Sequence, residues 1–345
     1  MTLERVREAA AGLGRHPQDH GWRELYRLLT LALERVESRL AAVVATCRIE
    51  RSDCSDTHFV TLLGIALKAT LSADDFEILL DPGRVTDRLR ILERLATERG
   101  DEIRRVVLSR QNSFTGARRF LVPQTLLSAY FARQDGTRVN FADLGTGLGI
   151  MPRQLNSQWM YDRFSVDLTW PSGVPEFRPI PLRSRFGVDR GDRPSLDWVH
   201  ACYGRSPYYA SLYEELLSVV RFLESTPQEV AYVSLDMLDP AALADFVRRN
   251  DINAVNLCYT LYEIDAALRE RVLGTLLTAM SRPCVVIVTE PYGALTQRGC
   301  TVSVYDHENP TPLAVCAVSD GHFVGNVDRL DDYDRFVADY PIAFN

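Results

Sequence analysis

Apolar residues recur at three- and four-residue steps early in the chain, at Leu25, Leu28, Leu29 and Leu33, which predicts a helix with one buried face. Val60, Leu62, Leu63, Ile65 and Leu67 follow as a buried run between polar neighbours. Further helices are predicted over residues 72–80, where Ser72 stands as a cap before Asp74 and Asp75, over 84–105 and over 123–133. Convincing strands are few in this part.

The pattern changes after Asp135-Gly136. Residues 139–144 read as a short buried strand, followed by a glycine-rich turn and a helix-compatible stretch through Gln158. The proline-rich interval 170–181 reads as a loop or hairpin insertion. Strands at 185–189, 230–236, 254–259 and 284–290 then alternate with helices at 207–224, 240–250 and 264–280. Alternation at these lengths predicts βαβ units and a mostly parallel sheet. Residues 301–305 and 313–318 read as an antiparallel hairpin at the sheet edge. The fold expected is α/β over residues 134–345, preceded by an all-α domain over 1–133.

The turn itself is Asp143-Leu144-Gly145-Thr146-Gly147-Leu148-Gly149. Glycine at every second position lets a ligand approach the backbone. A dinucleotide fingerprint needs its third glycine one residue later than Gly149, and a phosphate-binding P-loop needs a lysine that is missing here. The pattern acid-x-Gly-x-Gly-x-Gly resembles motif I of the class I S-adenosylmethionine-dependent methyltransferases. That resemblance implies a Rossmann-like fold, S-adenosylmethionine as cofactor, a turn (Gly145, Gly147, Gly149) beneath its methionine part, and Asp143 orienting the turn and the cofactor's ammonium group.

The same resemblance implies an acid for the ribose hydroxyls at the end of the second strand of the α/β part. Asp167 and Asp189 are both candidates, and Asp189 is preferred because Trp170-Pro171-Ser172-Gly173 makes the earlier piece look like half of a hairpin. Asp236 ends the third strand, where the family places an adenine-side residue. Asn256 and Tyr259 fall at the carboxyl end of the fourth, the edge at which open α/β sheets bind ligands. Over residues 58–330 the chain is also similar to an uncharacterised, mostly actinobacterial family with helices ahead of a methyltransferase-like domain. The similarity runs through Asp101-Glu102-Ile103-Arg104, Gln111, Gly116, Pro123, Gly187-Val188-Asp189 and Asp320-Gly321-His322. Where that family has a Thr-Asn-Glu run, this chain has Asn112-Ser113-Phe114.

Composition narrows the partners. In 345 residues, 39 Lys and Arg against 46 Asp and Glu leave a net charge of −7, the wrong sign for neutralising phosphates, so nucleic acid is not expected. Lys68 is the only lysine, which limits ammonium chemistry to one position and leaves arginine to bind anions. Seven scattered cysteines without C-x-x-C spacing predict neither a zinc ribbon nor a disulfide framework. Charges near the N-terminus and apolar runs short of the ~18 residues of a membrane span predict a cytoplasmic protein without membrane contact.

The candidates for chemistry are Glu290 at the end of the fifth strand, Tyr259 and His322 as catalytic groups, and Arg110, Arg118 and Tyr262 as substrate contacts, with Arg119 beside the first two arginines. His16 and His20 have metal-like spacing but no nearby partners, so no metal is expected. The expected reaction is methyl transfer to O or N of a small molecule, in specialised metabolism. Two alternatives stand beside it. One is a cofactor-independent displacement or elimination, such as a ring closure expelling an anion held by arginine. The other is a non-enzymatic partner subunit, within a homo- or hetero-oligomer.

Overall fold

A computed structural model describes residues 2–15, 20–35, 37–203, 206–226, 228–291, 299–308 and 311–344. Six helices come first: α1 (Thr2–Leu13), α2 (His20–Leu33), α3 (Arg39–Glu50), α4 (Asp56–Thr70), α5 (Ala73–Leu79) and α6 (Val85–Ser109). They share one apolar core, drawn from residues between Val6 and Val107. Helix α4 runs through its middle, buried at every position from His58 to Leu67. The expected cap on α5 is present, with Ser72 accepting from the Asp75 amide at 3.1 Å. Helix α6 continues four residues past the boundary expected and kinks at Arg99, whose φ of −130° and ψ of 20° leave the helical region. Helix α7 (Leu121–Phe131) is buried along its whole length, and its side chains belong to the core beneath the sheet rather than to that of α1–α6.

Among the described residues the sheet has nine strands. In chain order they are β1 (Val139–Leu144), β2 (Leu168–Thr169), β3 (Leu182–Asp189), β4 (Ala231–Ser234), β5 (Ala254–Cys258), β6 (Val285–Pro291), β7 (Cys300–Asp306), β8 (Leu313–Val318) and β9 (Gly325–Arg329). Their spatial order is β2-β9-β8-β7-β6-β5-β1-β3-β4. Strands β4, β3, β1, β5 and β6 are parallel, while β7, β8 and β9 continue antiparallel. The chain winds outward from β1 in one direction through β3 and β4, then returns to start the other side at β5. The crevice between β1 and β5 is therefore the topological switch point, where doubly wound sheets bind ligands.

Period-two alternation divides the central strands between two layers. Val139 and Phe141 of β1, with Val285 and Ile287 of β6, join α7 and the helices α9 (Gln158–Ser165) and α11 (Pro207–Ser225). Ala142, Leu144, Val286 and Val288 face the other way, onto α12 (Pro240–Arg249) and α13 (Ala266–Ala279). Burial on both faces is why β1 contains so few polar residues, and why the two it has, Asn140 and Asp143, are hydrogen-bonded.

Three segments depart from expectation. The helix expected after the glycine turn breaks into α8 (Met151–Gln154) and α9, because Asn156 between them takes a φ of 64°. Its side chain exchanges two 2.7 Å hydrogen bonds with the backbone of Ile180, pinning the proline-rich insertion. That insertion begins at β2, which pairs in parallel with β9 at the far edge of the sheet. The expected C-terminal hairpin is present as β7 and β8, but β7 also pairs along the whole of β6, and β9 extends the meander.

The only lysine joins the helices to the sheet. Lys68 Nζ, near the end of α4, donates to the carbonyls of Ala201 at 3.1 Å and Tyr203 at 2.8 Å, at the end of α10 (Leu196–Cys202). An ammonium suits a helix C-terminus, whose last carbonyls have no intrahelical donor. All seven cysteines are free thiols, six of them buried. No helix among the described residues is long and apolar enough to cross a membrane.

Candidate functional site

A cavity of about 270 Å³ lies between α1–α6 and the carboxyl edge of the parallel strands. From the sheet side it is lined by the glycine turn and by the residues that end β3, β4 and β5. From the helical side it is lined by α4 and the irregular segment 111–116.

The glycine turn is tied down from below. The amides of Gly145 and Thr146 both donate to the Val188 carbonyl, and that of Gly147 donates to Asp189 Oδ2 at 2.8 Å. Gly145 and Gly147 have φ of 73° and 55°, values costly for any other residue. They are also closely covered. A Cβ at Gly145 would lie 2.4 Å from Thr260 Oγ1, and one at Gly147 would lie 2.8 Å from Thr115 Oγ1. The glycines thus admit threonines of this chain as well as opening onto the cavity. Gly149 does not line the cavity and faces Tyr232 instead.

Asp143 lies fully buried at the end of β1. Asn256 Nδ2 and Thr146 Oγ1 each donate to it at 2.7 Å, one to each oxygen. Burial is the main cause that raises its carboxyl from 3.8 to about 6, against the pull of those two hydrogen bonds. Asn256 has no exposed surface, lines the cavity, and its Oδ1 has no donor. An orphaned buried acceptor beside a carboxylate is a place for a ligand's N–H.

Of the two candidate acids, Asp189 lines the cavity at the end of β3. Its Oδ2 holds the Gly147 amide and its Oδ1 the Arg190 amide, which leaves about two of its four acceptor positions open. Asp167 lies elsewhere, 3.1 Å from Arg118 just before β2. Asp236 lines the cavity, with Oδ1 on the Leu238 amide and Oδ2 3.4 Å from Arg190 Nε.

Glu290 leaves the site. Its Oε1 accepts from the amides of Thr260 and Leu261 and its Oε2 from that of Tyr262, so it caps the 3₁₀ turn Leu261–Glu263 and does not line the cavity. Arg110 and Arg118 leave it as well. Arg110 lies 5.3 Å from the Trp198 ring centroid, and Arg118 pairs with Glu215 and Asp167. The neighbouring Arg119 takes the place expected of them. It lines the cavity 4.4 Å above the Tyr259 ring, its Nε donating to the Gly321 carbonyl at 2.9 Å.

Tyr259, Tyr262 and His322 all line the cavity. Burial drives both phenols well above their usual range. Burial, with Arg119 and Arg118 close by, drives His322 well below its own, so its imidazole is neutral, and its buried Nδ1 has no partner.

Two further groups were not anticipated. Glu263 closes the 3₁₀ turn and lines the cavity, with Oε1 3.4 Å from His58 Nδ1 of α4. Burial and the nearby charges of Asp189 and Glu290 raise its carboxyl well above the usual range. His58 Nε2 lies 3.3 Å from Gln111 Oε1, and burial lowers its imidazole to about 3. Asn112, in the run that departs from the actinobacterial pattern, donates to the Tyr262 hydroxyl at 2.8 Å. The signal for Glu263 was its place four residues past Tyr259, on the loop after β5. His58 carried none, being one polar residue in a buried helix.

Among the described residues no group of three or more His, Cys, Asp or Glu is placed to hold a metal ion. His16 and the side chain of His20 lie outside the described residues.

No protein-family profile matches the chain, so the similarity to an actinobacterial family finds no support there. No curated protein matches it either. Among solved structures it is similar to an S-adenosylmethionine-dependent methyltransferase from Clostridium acetobutylicum ATCC 824, at 8% identity over 62% of this chain and 77% of that one, with a TM-score of 0.26. A likeness that loose carries no argument, and the α/β assignment rests on strand order, register and the two-layer core.

Proposed function

We propose that the cavity binds S-adenosylmethionine and that the protein transfers its methyl group to O or N of a small acceptor held beneath α4. The observation that carries this reading is the Asn256–Asp143 pair, a buried acceptor without a donor beside a buried carboxylate, in a crevice lined by the glycine turn, by Asp189 at the end of β3 and by Asp236 two residues past β4. These residues fit the cofactor. Asp189 and Asp236 would take its ribose and adenine side, and Asn256 with Asp143 its ammonium group. The cofactor would supply an electrophilic methyl group.

The chain's own residues would do the rest. Glu263, a carboxyl that lines the cavity and that burial makes more basic than usual, would take the proton from the acceptor's hydroxyl or amine. Asn112 holds the Tyr262 hydroxyl in place beside it. The helices cover part of the cavity, which would strengthen the polar contacts they shield from water. His322 is too weakly basic for the proton transfer.

A second reading has one observation of its own. Thr260 over Gly145 and Thr115 over Gly147 crowd the turn, as in a scaffold that has given up its cofactor for another displacement. Thermal unfolding in S-adenosylhomocysteine separates the two. A ligand at 100 times its Kd stabilises the folded state by about 2.7 kcal/mol, so the midpoint rises under the first reading. An unchanged midpoint at saturating ligand contradicts it.

A further inference from the structure

Among the described residues Arg119 is a cation without an ion pair, and its charge reaches the buried Asp143 carboxyl only beyond ion-pairing distance. Among them it has one hydrogen bond, from Nε to the Gly321 carbonyl. The groups that weigh on it most are Cys258, Tyr259, Tyr203 and Cys300, all neutral at pH 7. Arg118, one residue earlier, has two carboxylate partners. A largely buried charge without a directly paired counter-ion is costly for a fold, and the remaining N–H groups of a guanidinium form a fork suited to two parallel oxygens.

A second observation points to the same place. His322 follows Gly321, the residue that Arg119 holds, and it is 94% buried with Nδ1 unpartnered. The rings of Tyr203, Tyr208 and Tyr209 surround it with centroids 5.7, 6.1 and 5.9 Å away. A cation without an ion pair, an orphaned imidazole nitrogen and the ring of Tyr209 thus line the same cavity, with Tyr203 and Tyr208 packed behind His322.

We propose that Arg119 and His322 form a subsite for the carboxylate of a small acid whose body is a ring or similar apolar group packed against Tyr209. One guanidinium beside a neutral imidazole balances one negative charge, so a monoanion fits and a phosphate dianion leaves a charge unpaired. Resting on the methyl-transfer reading, the subsite belongs to the acceptor. Arg119 lies over the residue after β5 and His322 follows β8, whereas the acids assigned to the nucleoside end β3 and follow β4, on the other side of β1.

The test uses the full chain with benzoate, benzamide and S-adenosylhomocysteine as probes, followed by calorimetry. Benzoate should bind the unaltered protein and benzamide should not. Arg119→Met, which keeps an apolar chain over Tyr259, should abolish benzoate binding and leave S-adenosylhomocysteine binding unchanged. Arg119→Lys, which keeps the charge and loses the fork, should weaken benzoate about tenfold, and it decides the matter if the methionine variant does not fold. Failure of the unaltered protein to bind benzoate, equal binding of benzamide, or unchanged benzoate binding by the variants overturns the proposal. Loss of S-adenosylhomocysteine with Arg119 also overturns it, because the anion is then the cofactor's own carboxylate. Benzoate binding without any S-adenosylhomocysteine binding upholds the anion subsite and removes the methyl-transfer reading instead.

Discussion

The amide of Gly147 donates to Asp189 Oδ2 at 2.8 Å, joining the turn after β1 to the end of β3. One carboxylate thereby fixes the shape of the glycine turn and presents its open acceptor positions to the cavity. Asp189→Asn keeps one oxygen for the amide and loses the charge. A hydrogen bond to a charged group contributes about 1.5–3 kcal/mol, so S-adenosylhomocysteine affinity should fall roughly 10- to 100-fold while the circular dichroism spectrum is unchanged. Equal affinity in calorimetry would remove Asp189 from the site.

Gly147→Ala tests how tightly the turn is covered. The alanine meets two penalties, a positive φ worth about 1–2 kcal/mol and a Cβ 2.8 Å from Thr115 Oγ1. Chemical denaturation should show a loss of about 2–4 kcal/mol. Adding Thr115→Gly should recover the steric part and leave the backbone part. Strictly additive single and double variants would mean that Thr115 does not press on the turn.

Asp143 gives the fold a pH dependence of predictable sign. Its carboxyl sits at about 6 in the folded chain against 3.8 as its ordinary value, chiefly because it is buried. Between those values the folded state holds more protons than the unfolded state, so this group's contribution to stability is full below pH 4 and is lost as pH rises to 6. The loss is on the order of 2–3 kcal/mol. Asp143→Asn has no such titration, so its stability relative to the unaltered chain should improve from pH 4 to pH 7 in urea titrations. A constant difference would show that Asp143 ionises as an ordinary aspartate.

Lys68 should behave as a bolt rather than a reagent. Lys68→Met removes the donor to the Ala201 and Tyr203 carbonyls and should cost about 1–3 kcal/mol in denaturant unfolding. S-adenosylhomocysteine affinity should be unchanged, because the ammonium points at the end of α10 and not at the cavity.

Much of this arrangement was legible in the pattern of residues. The strand before the glycine turn and the alternation after it follow from short-range signals, two-residue periodicity and glycine spacing, whereas the preference for Asp189 over Asp167 rested on a hairpin that is not there, since Phe164 and Ser165 end α9 and β2 pairs in parallel with β9. What stayed hidden depended on distant neighbours. Strand β2 has two residues and no period of its own, and it exists only because β9 passes beside it. Glu290 looked like a strand-end acid, and only the approach of three amides from the following loop of β5 makes it a cap. Arg118 and Arg119 are identical in composition and adjacent, and they lie where the chain leaves an irregular segment for α7, so no periodicity says which one faces the cavity. His58 and Glu263 come from α4 and from the 3₁₀ turn after β5, 205 positions apart by their numbers, and meet only when α4 lies over the crevice.

The claim at the centre is that the crevice between β1 and β5 binds S-adenosylmethionine. Isothermal titration of the folded full chain with S-adenosylmethionine and S-adenosylhomocysteine tests it most directly. The account predicts saturable binding of both at one site per chain, weakened by Asp189→Asn. The absence of any binding heat across temperatures, in protein shown to be folded, would contradict it.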